Sequence, residues 1–239
     1  MRRGIYSVIN RLAQSIRGSS YAIDPSIPVG DIFRISLSRL SYLIRSFLIF
    51  GYSPRSRVFI GPGVSISSKK LLKLSSGVTI GKNSTIAALS KTGIQLGKNV
   101  SIGEYCRLEA SGTITDIGLG IVIGDNTGIG SYSFVGGAGG VQIGSDVIMG
   151  QWVSFHPENH NHEDLEKPIR LQGVNRKGIF IEDDCWIGAK ATFLDGAHVG
   201  RGCVIAAGAV VRGHIPHYSI AGGVPARVIR SRKDLQSPA

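Results

Sequence analysis

From Val58 onward an aliphatic residue recurs at every sixth position. The ladder Ile181, Ile187, Phe193, Val199, Ile205, Val211 runs without a break. Shorter runs are Leu96/Ile102/Leu108, Ile123/Ile129/Val135 and Ile143/Met149/Phe155, with weaker pairs at Ile60/Ile66 and Ile80/Ile86. The next position is usually glycine, as at Gly61, Gly103, Gly150 and Gly188. Four places after the aliphatic stands a small or β-branched residue, as at Ser84, Cys106, Thr127, Cys185, Ala191 and Cys203. A helix repeats at 3.6 residues and a strand at 2, so neither explains a period of six. Short strands joined by tight corners do: the aliphatic points inward, and glycine supplies corner dihedrals that a Cβ would oppose. Three such sides make an 18-residue coil, and coils stack at the strand spacing of about 4.8 Å. Each coil buries its aliphatics against the next, so stability is cooperative along the stack. The pattern predicts an all-β domain over residues 58–222, a parallel β-helix of six or seven coils.

The ladder breaks decisively between Phe155 and Ile181. The loop 156–180 carries charge, proline and three of the six histidines, and long loops in compact repeats are functional or disordered. A smaller irregularity at 111–120 reads as a corner insertion. Ahead of the repeat, Phe33, Leu37, Leu40, Ile44 and Phe47 follow helical spacing beside Arg34, Ser38, Ser41 and Arg45, and Gly51 and Pro54 end the run. This predicts a basic amphipathic helix over 31–50 within an N-terminal segment 1–57. Such a helix serves either to cap the open end of the coils or to touch an anionic membrane face. Residues 1–25 read as an arm or a further short helix, and residues 223–239 as a C-terminal tail.

Composition sharpens this picture. Glycine is 33 of 239 residues, about twice the usual share of roughly 7%, without the G-X-Y period of collagen. The net charge of +11 invites a nucleic-acid reading. Its distribution argues against one: residues 1–57 hold nine Arg and two Asp, so most of the excess lies outside the repeat. No uncharged apolar run is long enough for an ordinary transmembrane helix, and no signal-peptide pattern is evident. Three cysteines make no full disulfide framework. A cytoplasmic protein, peripheral at most to a membrane, is expected. Cys106, Cys185 and Cys203 all fall on the small fifth position, where they read as core residues.

Three histidines within seven residues suggest either a metal or a general base. The metal reading lacks an upstream His ligand, since no histidine precedes His156. A neutral imidazole removes a hydroxyl proton at physiological pH, as acyl transfer to an alcohol requires. Glu158, Glu163 and Asp164 are near enough in sequence to orient it.

The stretch Asn159-His160-Asn161-His162-Glu163-Asp164 with Pro168-Ile169-Arg170-Leu171-Gln172-Gly173 resembles the N-H-N…P-I-R-x-Q-G loop of bacterial sugar O-acetyltransferases. These belong to the hexapeptide-repeat, left-handed β-helix superfamily. Trp186-Ile187-Gly188-Ala189, Val204-Ile205-Ala206-Ala207-Gly208 and Gly223-Val224-Pro225-Ala226-Arg227-Val228-Ile229 resemble its C-terminal motifs. The resemblance implies a left-handed winding, a homotrimer with the active site in a groove shared by two chains, and acetyl-CoA as donor. It implies His160 as the base, with His156 as second candidate. It implies a coenzyme A track of Ala189, Ala207, Arg227 and Arg230, beside which Trp186 is either an exposed wall near the thioester or a packing residue. A family lysine is missing near Arg212. The function expected is O-acetyl transfer to a sugar hydroxyl in surface polysaccharide or glycolipid biosynthesis, with no metal. The alternatives are an N-acyltransferase on an amino-sugar nucleotide, a carbonic-anhydrase-like metalloprotein and a non-catalytic trimeric scaffold.

Overall fold

The computed structural model describes residues 23–51 and 56–235. Two compact units divide at 41/42, inside the N-terminal helix, where the sequence placed the boundary at 57. In the larger unit the chain winds through three parallel sheets. Ile60, Ile80, Ile102, Ile129, Met149, Ile187, Ile205 and Ala221 occupy the inward column of the first. Ile66, Ile86, Leu108, Val135, Phe155, Phe193 and Val211 do so in the second. Leu74, Leu96, Ile123, Ile143, Ile181, Val199 and Ile215 do so in the third.

These columns locate the breaks in the six-residue ladder. Two corners keep the six-residue step in every coil: first to second sheet, as Ile60 to Ile66, and third to first, as Leu74 to Ile80. The corner from second to third sheet absorbs every departure. It runs from Leu108 to Ile123 and from Phe155 to Ile181, and it has the plain six only from Phe193 to Val199. The insertion at 111–120 and the long loop therefore rise from one edge, with a single coil between them.

The predicted interior is the observed one. The aliphatic columns are almost wholly buried, and so are the fifth-position residues from Ser84 to Ala209. Cys106, Cys185 and Cys203 are buried free thiols; burial pushes all three up, Cys185 to about 11. They stay protonated, as core residues rather than nucleophiles.

The glycines need a different reason from the one expected. Those following the aliphatics do not have positive φ. A Cβ on Gly150 would stand 2.6 Å from the Ala189 nitrogen of the next coil, so close approach of successive backbones excludes side chains there. Left-handed conformations fall instead two residues later, and several are held by bulky residues: Tyr105, Tyr132 and Trp152 have φ of 56°, 62° and 63°. Such residues adopt this region only against a steric cost. Their rings stack one coil above the other, at 5.1 and 4.7 Å, which offsets that cost.

Helix α1 spans Val29–Phe50, two residues longer than expected at its start. Its last residues, Ile49 and Phe50, pack against the core of the β-helix. Phe33, Leu37 and Leu40 are exposed. At the other end the expected tail is ordered through Leu235: Ala226–Ser231 adds an antiparallel strand beside Ser219–Gly223, extending the first sheet. The expectation for residues 1–25 falls almost wholly outside the described residues.

Candidate functional site

The long loop is a built arm. Asn159–His160 pairs antiparallel with Val174–Asn175, and a short 3-10 turn, Ile169–Leu171, shapes the tip. Gln172 stitches that tip: its Nε2 donates to the carbonyls of Asp164 (2.7 Å) and Lys167 (2.6 Å), and its Oε1 accepts the Asp164 amide. Asn161 bonds the Gln172 carbonyl and accepts from Asn175 Nδ2. Gly173 closes the turn with φ of 81°, a conformation suited to glycine. The polar residues of the motif thus fold the arm that presents the histidines.

The feet of the arm rest on Asp195, which the sequence analysis passed over. This buried carboxylate accepts the amides of Lys177 (2.8 Å) and Gly178 (2.9 Å) through Oδ1, and Asn159 Nδ2 through Oδ2 (3.5 Å). It sits at the second-to-third-sheet corner that keeps the plain six-residue step, and it fixes the residue next to His160.

The histidines are placed differently. His156 ends a strand of the second sheet, Ser154–His156, and its ring tilts against Phe134 at 5.5 Å. It lines a groove of about 200 Å³ together with Glu109, Ser111 and Glu158. Burial lowers its pKa below the ordinary imidazole value, so it is neutral and able to accept a proton. His160 stands on the exposed arm. Its carbonyl accepts the Nδ1–H of His162 at 3.1 Å. Neither the His156 nor the His160 ring has a hydrogen-bond partner among the described residues.

The acids expected to orient the imidazole are engaged elsewhere. Glu158 Oε2 takes Arg176 Nε at 2.6 Å. Glu163 accepts the His162 amide, and Asp164 accepts the Glu166 amide. Among the described residues no three His, Cys, Asp or Glu side chains gather as a metal site.

The residues of the expected coenzyme track lie on another edge. Trp186 projects from the first sheet, 57% exposed, beside the outward Ile148. Ala189 and Ala207 occupy successive corners after it, one coil apart, and Ala189 O accepts the Gly208 amide. The amide N–H groups of Ala189 and Ala207 have no partner among the described residues, and each nitrogen lies against a glycine of the preceding coil, Gly150 and Gly188. Arg227 and Arg230 are exposed on the added C-terminal strand, and Arg212 is exposed nearby in sequence. In a single chain the arm and this track are not brought together.

Two hexapeptide models match the chain: bacterial transferase hexapeptide (six repeats) at residues 178–213 and hexapeptide repeat of succinyl-transferase at 76–115. A Mycobacterium tuberculosis protein named as an acetyltransferase is 34% identical over 168 residues, covering 70% of this chain and 52% of its own length. The chain thus spans about half of that relative. WbbJ of Escherichia coli K12, named for lipopolysaccharide-biosynthesis O-acetyl transfer, is 30% identical over 145 residues, 57% of this chain and 71% of WbbJ. Among solved structures, a mutant of AntD, an N-acyltransferase from Bacillus cereus in complex with dTDP and coenzyme A, aligns with a TM-score of 0.50. It is 20% identical and covers 72% of this chain and 86% of that one. At that identity the likeness speaks for the fold alone, a left-handed β-helix of hexapeptide repeats.

Proposed function

The chain belongs to the hexapeptide-repeat acyltransferases, and we propose that within them it is an acetyl-CoA-dependent O-acetyltransferase. Its acceptor is a sugar hydroxyl of a surface polysaccharide or glycolipid. The observation that carries this is the pair of unpartnered imidazoles, His156 at the end of the strand that feeds the corner insertion and His160 on the arm that the rest of the motif is spent on shaping. His160 Nε2 or Nδ1 takes the hydroxyl proton as the oxygen attacks the thioester carbonyl. The ester C–O bond forms, the C–S bond breaks, and the imidazolium returns the proton to the departing thiolate. The donor supplies an activated acetyl group. The residues present suit it: the small side chains of Ala189 and Ala207 let an extended amide chain approach the coils, Trp186 walls the track, and Arg227 and Arg230 match phosphates.

The active unit is a homotrimer in this reading, because His160 and the Ala189–Ala207 track occupy separate edges of one chain. The arm tip supports it: Leu165, Ile169 and Leu171 are exposed, Leu165 at 93%, an apolar tip that a neighbouring chain would cover. A single 25.4 kDa species in sedimentation equilibrium would remove the trimer.

The test is incubation of the full chain with acetyl-CoA and methyl glycosides, reading thiol release. The acetylated product should be cleaved by mild hydroxylamine, as an ester is. A product that resists hydroxylamine is an amide and moves the protein to amino-sugar N-acylation. No thiol release with any glycoside would sink the reading.

Peripheral membrane attachment follows from helix α1. Among the described residues no helix is long and apolar enough to cross a membrane. Phe33, Leu37 and Leu40 nevertheless share one exposed face beside Arg34 and Arg39, the arrangement of an interfacial helix. The full chain is expected to pellet with anionic phosphatidylglycerol vesicles, and Leu37→Glu with Leu40→Glu to abolish this. Equal sedimentation of the double variant would remove the helix from that role.

A further inference from the structure

We infer that the groove beside His156 takes a single sugar ring that is uncharged or bears an amine, and rejects an acidic one. Glu109 and Glu158 select the ring, and Arg176 is the positioning residue that ties the two walls together. The inference rests on the sugar-acetyltransferase reading and adds the class of acceptor.

The groove lies between the two insertions of the variable corner. One wall is the start of the 111–120 insertion, the other is His156, Pro157 and Glu158, and the Phe134 ring lies between them. Its volume of about 200 Å³ is below the roughly 300–1,000 Å³ of drug-sized sites, a size for one ring rather than a chain of them. Phe134 offers an apolar surface for the C–H face of a pyranose, and the neighbouring imidazole and carboxylates accept hydroxyl protons.

The lining includes two carboxylates and no lysine or arginine. The cations that hold those carboxylates are not part of it. Arg107 Nε donates to Glu109 at 2.9 Å, and Arg176 Nε to Glu158 at 2.6 Å. A hydroxyl or ammonium group meets acceptors in this groove. A sugar carboxylate meets two carboxylates whose guanidinium partners are already engaged by them, which is discrimination by repulsion.

Arg176 also reaches Asp116 in the other insertion, Nη1 to Oδ2 at 2.8 Å, and its side chain is largely buried. It therefore bridges the two walls across the intervening coil. Ser111 locks the first wall from within, donating to the Leu89 carbonyl (2.6 Å) and accepting the Gly118 amide (2.7 Å). The short insertion thus acquires a role: it is held in place as one side of a binding groove.

The experiment is saturation-transfer NMR on the full chain without donor. The probes are methyl α-glucopyranoside, methyl β-glucosaminide and methyl β-glucuronide. A neutral or amino glycoside should bind at least tenfold more tightly than the glucuronide. Glu109→Gln combined with Glu158→Gln should shrink that ratio to about threefold or less. Arg176→Ala should weaken the neutral glycoside, with rescue by Arg176→Lys, while coenzyme A binding by calorimetry stays unchanged. Equal binding of neutral and acidic probes, binding of none, or a ratio unmoved by the glutamine variants overturns the inference. The wild-type ratio needs no variant to fold. If the selective binding is found but thiol release is absent, the groove stands and the acetyltransferase reading falls. Turnover confined to acidic acceptors does the reverse.

Discussion

His160→Ala should lower kcat by about 10²–10⁴, the range a positioned general base contributes. Acetyl-CoA affinity should stay near wild type, because the Ala189–Ala207 track lies on another edge of the coils. The expectation follows from how the arm is built. His160 is in the paired ribbon, its neighbour Asn159 reaches Asp195, and the Gln172 network closes the tip beyond it. The imidazole is held by its backbone and has no side-chain partner of its own. Substitution therefore removes a proton acceptor while disturbing no visible bond of its ring. His156→Ala should instead act mainly on acceptor KM, since that ring lines the groove beside Phe134. Steady-state kinetics on both variants decides the roles: a larger kcat loss at His156→Ala would transfer the base to His156.

Much of this molecule is written in its periodicity. The period of six fixes the three inward columns, and the small fifth positions were placed correctly down to the three cysteines. The breaks were legible too. Runs such as Leu96/Ile102/Leu108 end after the second sheet because the next corner is the variable one. That all insertions share one corner appears only when the runs are laid in register. The glycines show how a correct residue pattern can carry the wrong cause. Gly150 was expected to serve a dihedral, and it serves the approach of Ala189. The aromatic ones among the left-handed residues of the corner, Tyr105, Tyr132 and Trp152, stand one coil apart and each three places after the inward aliphatic, so the ladder of rings was visible in the same register.

The site was legible in its histidines and not in its supports. Glu158, Glu163 and Asp164 are neighbours of His160 in sequence, yet each is bonded elsewhere. The groups that do hold the arm come from other coils: Asp195 lies 36 residues from Asn159, and Asp116 lies far from Arg176. In a stacked coil, residues one turn apart in space are separated by whatever the variable corner inserts. Local spacing cannot find such pairs; the register of the columns can.

Phe193→Ala is expected to destabilise the protein by about 3–5 kcal/mol, the usual range for a buried Phe truncation. Phe155 and Phe193 are the two largest side chains of the interior, both wholly buried, and stack at 4.7 Å. They occupy neighbouring rungs of the second sheet, on either side of the long loop. The same stretch carries Ala191, Ala197 and Ala209 at fifth positions, where small residues leave room for the rings. Truncating Phe193 opens a void that those alanines cannot fill. The loss falls at the rung next to Asp195, so the arm should loosen with the core. Denaturant unfolding of Phe193→Ala should show the lost stability, and Phe193→Leu should recover most of it. A loss under about 1 kcal/mol for the alanine variant would mean that the coils relax into the void, and that each is less dependent on its neighbours than the stacked interior implies.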